Sequence, residues 1–576
     1  MFGLLRPGYK WLTHHKAIAF AIAAVCISSL VSLSYVSQET PTWFWDTANY
    51  HDQFKSLVSH FQQDRAVDAI QQIQSSIRSS DYNISPVLPI LPLGMVLNTS
   101  RHLYILAIIV CYLLPATFCA WLLAWSCWKS KPTPLAFLCS AVVITFFPAF
   151  WGPSLQGYPD ILGLIPLALA GVQILRTHFL TTASTKRIIT VSILLWASFL
   201  VRRHFAYSII SLLIVTAVFA TAKLWPKRRS VLAFAKNLAR IFLALGIPSV
   251  ILLFLFQSEL VMHILSTSYA SAYSDYQQEW PSKLTSLLAG LGIFYAFLLF
   301  IGIFYALRAR NVAVLFCTLT AALSFYLFGL TQAPGMQHRL AIYLWLLPGV
   351  IASIQLMANL PARLPRALLG AGLLSYSGLA FTGSVSAEEW RDNHLPDAVL
   401  TVMPQAYPPQ RNESYGQLRK LVTSLENNPK YTKGKIAILA SSATINDSII
   451  AAMSSSIGSR LLGISQVDQR DGFRLQVFDA DIIVATSGDS VHLGAEHQRV
   501  VTVPSQGLFD AATPIAQTFV MDKDLSFPLH DGNTVRIFHR TQAAPYRNES
   551  MAAWMAKQLG HFYPHLRIND RTIELN

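Results

Sequence analysis

Apolar and polar positions divide the chain into two parts. Residues 1–385 carry a succession of apolar runs at 17–36, 103–127, 134–150, 161–175, 188–207, 208–222, 238–256, 284–306, 312–330, 340–358 and 367–385. A helix rises about 1.5 Å per residue, so about 20 apolar residues cross about 30 Å of hydrocarbon. The stretch 188–222 is one apolar run interrupted by Arg202, Arg203 and His204. Read as two helices meeting at that triplet, it brings the expected count to about 11 transmembrane helices. Beyond residue 385 the pattern changes. Segments 435–442 (KIAILASS), 481–487 (DIIVATS), 499–504 and 534–540 (TVRIFHR) read as strands, and 446–457 reads as a helix opened by Asn446, Asp447 or Ser448. The expected fold class is a mostly α membrane protein, residues 1–385, with a C-terminal soluble α/β domain, residues 386–576.

Loop charge predicts the orientation. Arg6, Lys10 and Lys16 precede the first run, which is long for a signal-peptide core and is followed by no small-residue cleavage pattern, so it reads as a helix with its N-terminus inside. On that assumption Lys129 and Lys131, then Arg176, Lys186 and Arg187, then Lys223, Lys227, Arg228 and Arg229, then Arg308 and Arg310, then Arg363 and Arg366 all fall on the cytoplasmic side. The soluble domain then lies outside, and the expected location is a bacterial inner membrane with that domain in the periplasm. Two basic groups break the pattern by facing outward: Arg202–Arg203–His204 and His338–Arg339.

The first outside loop, 37–102, is long. Phe54, Leu57, Val58 and Phe61, and then Ile70, Ile73 and Ile77, recur at helical spacing among polar residues, which predicts helices lying in the interface or packed on the soluble domain. Pro86, Pro89 and Pro92 predict an extended return to the membrane.

Composition agrees with this division. The 576 residues are 53% hydrophobic and 13% charged, with mean hydropathy +0.41, against about 25% charged in soluble domains. The net charge of +14 is concentrated in short loops between apolar runs, which argues against nucleic acid as a partner. All six cysteines lie in or beside apolar runs and read as packing residues. The soluble part has no Gly-rich phosphate loop, no G-x-S-x-G and no metal-ligand cluster, so a binding or supporting role is expected of it.

Four short segments could carry chemistry. In 41–50 (PTWFWDTANY), Asp46 sits among aromatics just past the first span, where poor solvation favours a general base; the alternative is a helix cap within an aromatic belt. Gln156–Gly157–Tyr158–Pro159–Asp160 closes the short third span, and Asp160 is either functional or an N-cap. Arg202, Arg203 and His204 fall at a depth where charge is costly unless paired or solvated. Gln337–His338–Arg339 opens the tenth span. All four share the expected outer side. Carboxylates to take a proton from a hydroxyl, and guanidinium groups to hold a departing phosphate, are what transfer from a phosphate-bearing lipid requires. The runs 134–150, 161–175 and 188–201 are short for a membrane crossing and would leave room for a cavity at their outer ends.

The segment 41–50 resembles the P-x-W-D-x-x-x-Y pattern of GT-C-fold polytopic glycosyltransferases, the superfamily of protein O-mannosyltransferases, lipid A aminoarabinose transferases and Rgt-like enzymes. His338–Arg339 with Tyr343 and Pro348 resembles the basic-aromatic opening of a late helix in these enzymes. The resemblance implies a GT-C-like architecture over 1–385, a polyprenyl-phosphate sugar donor, and a glycan, lipid or protein hydroxyl as acceptor. It makes Asp46 the catalytic residue. The family often has Asp-Glu there; this chain has Asp46–Thr47, and Asp160 is expected to supply the second acid. Arg202, Arg203 and Arg339 are then expected to bind the donor phosphate, with His204 and His338 behind them, and Trp45, Tyr50 and Tyr158 to position substrate. No cofactor is required, although two carboxylates could hold a divalent metal. The rivals are an O-antigen-ligase-like transfer of a whole glycan from a lipid diphosphate, and a non-enzymatic lipid or solute transporter.

Overall fold

The structure is a computed structural model that describes residues 14–128, 133–176, 179, 184–225, 230–541, 547–562, 567–568 and 571–572. Several loop cations used to orient the chain (Arg6, Lys10, Lys129, Lys131, Lys227, Arg228 and Arg229) lie outside them. Among the described residues, seven helices are long and apolar enough to cross a membrane: Arg101–Ser126, Pro134–Leu155, Phe205–Ala222, Phe234–Phe256, Val312–Gly329, Leu340–Ala358 and Arg363–Val385. The run 284–306 differs from expectation. It is two helices, Trp280–Leu291 and Ile293–Arg308, bent by 98° and counted as an eighth span if taken together. Gly292 makes the corner at φ 76°, and a Cβ there would lie 2.6 Å from the Pro404 nitrogen. The first, fourth and fifth expected spans appear as shorter apolar helices: Ile22–Val36 within His14–Val36, Pro159–Leu175 and Thr185–Val201.

The bundle is organised on Leu340–Ala358, which is buried along almost its whole length. A Cβ at Gly302 would lie 1.8 Å from the Gly349 carbonyl oxygen, so these two helices approach backbone to backbone, as small residues permit in membrane bundles. The run 188–222 does break at Arg202–His204, between Thr185–Val201 and Phe205–Leu224.

The segment 37–102 is largely helical, as its periodicity predicted. Trp45–Gln62 buries Tyr50, Phe54, Leu57 and Val58 against the membrane domain, while Ala66–Ser79 packs on Ser258–Ser266 and leaves Ile70 exposed. The proline stretch is not extended. Ser85–Ile90 is a 3₁₀ helix and Leu91–Val96 an α turn, each with proline at its start, where the missing N–H costs nothing.

In the C-terminal region, β1 (Ile436–Leu439), β2 (Ile482–Thr486), β3 (Phe519–Met521), β4 (Phe527–Pro528) and β5 (Thr534–Arg540) form one sheet, ordered β1-β2-β5-β3 with β4 beside β5. Strands β1 and β2 are parallel, and β5 runs antiparallel to β2 with Val484 opposite Ile537. Successive residues of β2 alternate between two cores: Ile482 and Val484 face one, Ile483 and Ala485 the other. A sheet covered on both faces needs such an unbroken apolar run. Segment 499–504, expected as a strand, lies in the helix Arg499–Gly507, which buries Val500 and Val501. The helix expected at 446–457 is split at Ser454, whose hydroxyl accepts from Ile457 N and caps a second turn. Asn446 is its N-cap, accepting from Ile449 N at 2.9 Å.

Candidate active site

One end of the membrane helices, the segment 37–102 and the C-terminal region together line an open cavity of about 980 Å³. Its wall includes Trp45, Asp46, Tyr158, Arg202, Arg203, His204 and His338 from the membrane part, and Ser448, Gln466, Arg470, Asp471 and His492 from the soluble domain. Seven of the ten sequence-predicted site residues therefore share one space.

Asp46 stands in the first turn of Trp45–Gln62. It does not cap that helix: the N-cap is Phe44, with no side-chain cap. Instead its Oδ2 lies 3.3 Å from Arg202 Nη2, and its carboxylate is 22% exposed, toward the cavity. Its Oδ1 takes no hydrogen bond among the described residues. The residue before it, Trp45, has φ 49°, a left-handed conformation that a bulky side chain rarely adopts.

Asp160 is fully buried in the 3₁₀ turn Pro159–Gly163 and is not on the cavity wall. Its Oδ1 is 3.1 Å from Arg202 Nε and 3.8 Å from His204 Nδ1. Arg202 thus stands between the two carboxylates. It also donates to the Tyr50 hydroxyl and lies over the Tyr82 ring at 4.5 Å. Tyr50 is buried behind Arg202 rather than facing the cavity. Burial pushes the Tyr50 phenol above its usual pKa, and Asp46 with burial does the same for Tyr82, so both remain neutral hydrogen-bonding groups. A divalent ion held by both Asp46 and Asp160 would have to displace this guanidinium.

Arg203 faces the cavity. Its Nη1 is 2.9 Å from Asp81 Oδ2, its Nη2 donates to the Tyr273 hydroxyl at 2.7 Å, and its carbon lies 4.1 Å from the Tyr269 ring centre. His204 and His338 meet edge to face at 5.0 Å. His338 Nδ1 accepts from Gly335 N, which leaves its proton on Nε2; His204 Nε2 is buried with no hydrogen-bond partner among the described residues. Arg339 is elsewhere. It donates to the Ser286 carbonyl at 2.5 Å and to Gln405 Oε1 at 3.0 Å, tying the corner before Gly292 to the start of the soluble domain.

Sequence reasoning missed two groups. Arg101, almost fully buried, donates to Thr47 O at 3.0 Å and Gln156 O at 2.7 Å, joining the loops that carry Asp46 and Asp160. Gly157, at φ 94°, is required there, because a Cβ would lie 2.6 Å from Arg101 Nη1. A lone arginine opening an apolar run was the available signal. The second group is the soluble-domain wall. Arg470 pairs with Asp471 at 2.7 Å and donates to the Tyr276 hydroxyl at 3.0 Å, and Tyr276 lies 3.4 Å from His492 Nε2. No local pattern marks these residues. Among the described residues no three His, Cys, Asp or Glu side chains gather as a metal site.

No sequence family and no curated relative matches the chain. Solved structures do. ArnT from Cupriavidus metallidurans bound to undecaprenyl phosphate aligns with TM-score 0.50 at 10% identity, over 90% of this chain and 98% of that one. The Archaeoglobus fulgidus oligosaccharyltransferase in its apo form aligns with TM-score 0.42 at 11% identity, over 89% and 74%. The likeness to the first is one of fold, and the chain has that GT-C fold.

Proposed function

We propose that this chain, a GT-C-fold membrane protein, is a glycosyltransferase that moves a sugar from a polyprenyl-phosphate-linked donor to a hydroxyl acceptor on the non-cytoplasmic face. The observation that carries the reading is the cavity between the two parts of the chain, on which Asp46 keeps one carboxylate oxygen open while Arg202 holds the other. The ArnT of the same fold was solved with undecaprenyl phosphate, which supports a polyprenyl phosphate as the donor's lipid. Described positive clusters at Lys186–Arg187, Arg308–Arg310 and Arg363–Arg366 lie at the ends of their helices away from the cavity, in keeping with a periplasmic face for the cavity.

In this mechanism Asp46 Oδ1 takes the proton of the acceptor hydroxyl as its oxygen attacks the anomeric carbon. The bond from that carbon to the phosphate oxygen breaks, and polyprenyl phosphate leaves with the electron pair, with inversion. Arg202 fixes the base in place. It is committed to two carboxylates and a phenol, so the leaving phosphate falls to Arg203, His204 and His338, which face the cavity. Nothing in this sequence of steps needs a metal.

The test is release of free polyprenyl phosphate by the purified full-length protein from a panel of polyprenyl-phosphate-linked monosaccharides. Release that depends on an added acceptor supports the reading. Turnover only of lipid diphosphates carrying whole glycans would favour the ligase instead. No lipid turnover, with transport of the lipid across a bilayer, would make the chain a transporter.

A further inference from the structure

The two residues before Asp46 belong to the soluble domain's packing, not to the membrane domain's. Phe44 packs against the core on one face of the sheet, the cluster that contains Ile436, Ile438, Val484 and Ile537. The Trp45 indole lies 4.4 Å from the His492 ring and 4.7 Å from Phe44. His492 is itself held, with Nδ1 2.9 Å from the Ser441 carbonyl and Nε2 3.4 Å from the Tyr276 hydroxyl. Immediately after Asp46 the ownership changes. Thr47 is buried and its carbonyl accepts from Arg101, and Tyr50 is buried in the membrane domain. Between these two anchorages stands Trp45 at φ 49°, a left-handed backbone state that a bulky side chain keeps only where its surroundings impose it.

We infer that docking of Phe44 and Trp45 into the soluble domain sets the position of Asp46, so that the soluble domain is a positioning element of the membrane-domain site. A helix beginning freely at this point would have no reason to pass through a left-handed tryptophan. The strain is imposed because Phe44 is drawn into one domain while Thr47 is fixed in the other. The seam that holds the domains at this spacing lies across the cavity. Asp275 accepts from Gln469 N at 3.1 Å and pairs with His497 at 3.0 Å, and Arg470 reaches the Tyr276 hydroxyl. Undocking would release the left-handed turn and let the Asp46 carboxylate leave Arg202. Phe44, Trp45 and His492 are positioning residues in this account; none of them takes part in a chemical step.

The inference rests on the transfer reaction proposed above, and its test has one readout that does not. In the full-length protein, Phe44→Ser and His492→Ala are compared with Phe44→Leu, which still fills the apolar site. Expected are a turnover number lowered about tenfold or more by the first two, donor KM within about twofold, and turnover near wild type for Phe44→Leu, since a small displacement of a catalytic group costs up to about a hundredfold. Separately, Asp46→Cys is introduced into each background and its alkylation from the non-cytoplasmic side is timed. The rate should change about fivefold or more with Phe44→Ser and His492→Ala, and little with Phe44→Leu. Unchanged turnover in an active enzyme, or unchanged alkylation in these backgrounds, overturns the inference. Absence of sugar transfer by wild type with altered alkylation would instead remove the transfer reaction and leave the coupling of the domains standing.

Discussion

Arg202 Nε lies 3.1 Å from Asp160 Oδ1, and both side chains are buried, at 4% and 0% exposure. The pair joins the corner between two membrane helices to the turn that opens a third, and it holds Asp46 by the other arm of the guanidinium. Removing one member strands a charge. Arg202→Ala should therefore destabilise the detergent-solubilised protein by about 3–5 kcal/mol, read as a lower thermal midpoint, and abolish transfer. Arg202→Lys should recover part of the stability and little of the activity, since lysine cannot reach two carboxylates and a phenol with one planar fork. A combined Arg202→Leu, Asp160→Leu variant should regain stability without turnover. Stability at the wild-type level in Arg202→Ala would mean that the pair is not buried in the working protein.

Asp46→Asn is the most direct probe of the base. The substitution keeps the shape of the side chain and removes the oxygen that takes the proton. Expression and unfolding midpoint should stay close to wild type while turnover falls by about 10² or more. The helix-cap alternative predicts a silent substitution; in the structure the N-cap position is held by Phe44, not Asp46. Activity within a few-fold of wild type would pass the base to another group.

Arg203 and Arg339 should part company. Arg203 stands on the cavity wall and Arg339 does not. Arg203→Ala is expected to raise donor KM with a modest change in stability. Arg339→Ala breaks hydrogen bonds to Ser286 and Gln405, so it should lower the unfolding midpoint and leave donor KM near wild type. Steady-state kinetics and melting curves on both variants make the comparison; the opposite pattern would move the phosphate subsite to Arg339.

His51 gives a pH dependence with a definite sign. Burial, aided by the Arg101 charge, depresses its pKa to about 3, while its ring Nε2 stays within 2.9 Å of Thr99 O. The unfolded chain takes up this proton near pH 6.5 and the folded one does not, so stability is complete above that pH and declines as pH falls toward 3. Unfolding midpoints of wild type should drop between pH 7 and pH 5 more steeply than those of His51→Gln. Equal slopes would show that His51 titrates normally in the fold.

The orientation can be read with reporter fusions. A reporter active only outside the cytoplasm should work after residue 400 and in the loops near 60 and 270, and a fusion at 227 should be inactive. Activity at 227 would invert the chain and put the cavity on the cytoplasmic face.

The pattern of apolar runs was enough to place most of the membrane helices and to break 188–222 at Arg202–His204. These features follow from a solvent requirement that acts on every residue of a span, so they are written locally. The strands β1, β2 and β5 were legible for a similar reason, as apolar runs in a sheet covered on both faces. Segment 499–504 was misread because its valines favour a strand by local preference, whereas tertiary packing placed them on a buried helix face. The bend at Gly292 and the helical prolines at 86–92 were also decided by what packs beside them.

The site divides in the same way. Asp46, Arg203, His204 and His338 stood out as polar residues at costly positions, and they do share a cavity. Only the tertiary structure supplied their partners. Arg202, expected from the sequence to bind phosphate, stands on the cavity wall between Asp46 and Asp160, 156 positions from the former. Arg339 bonds to Ser286 and Gln405, and part of the cavity wall comes from Arg470 and His492, residues with no local mark. A sequence states which side chains will be expensive to bury; which partners repay that cost is set by distances between segments remote in the chain, and those exist only once the two domains have packed.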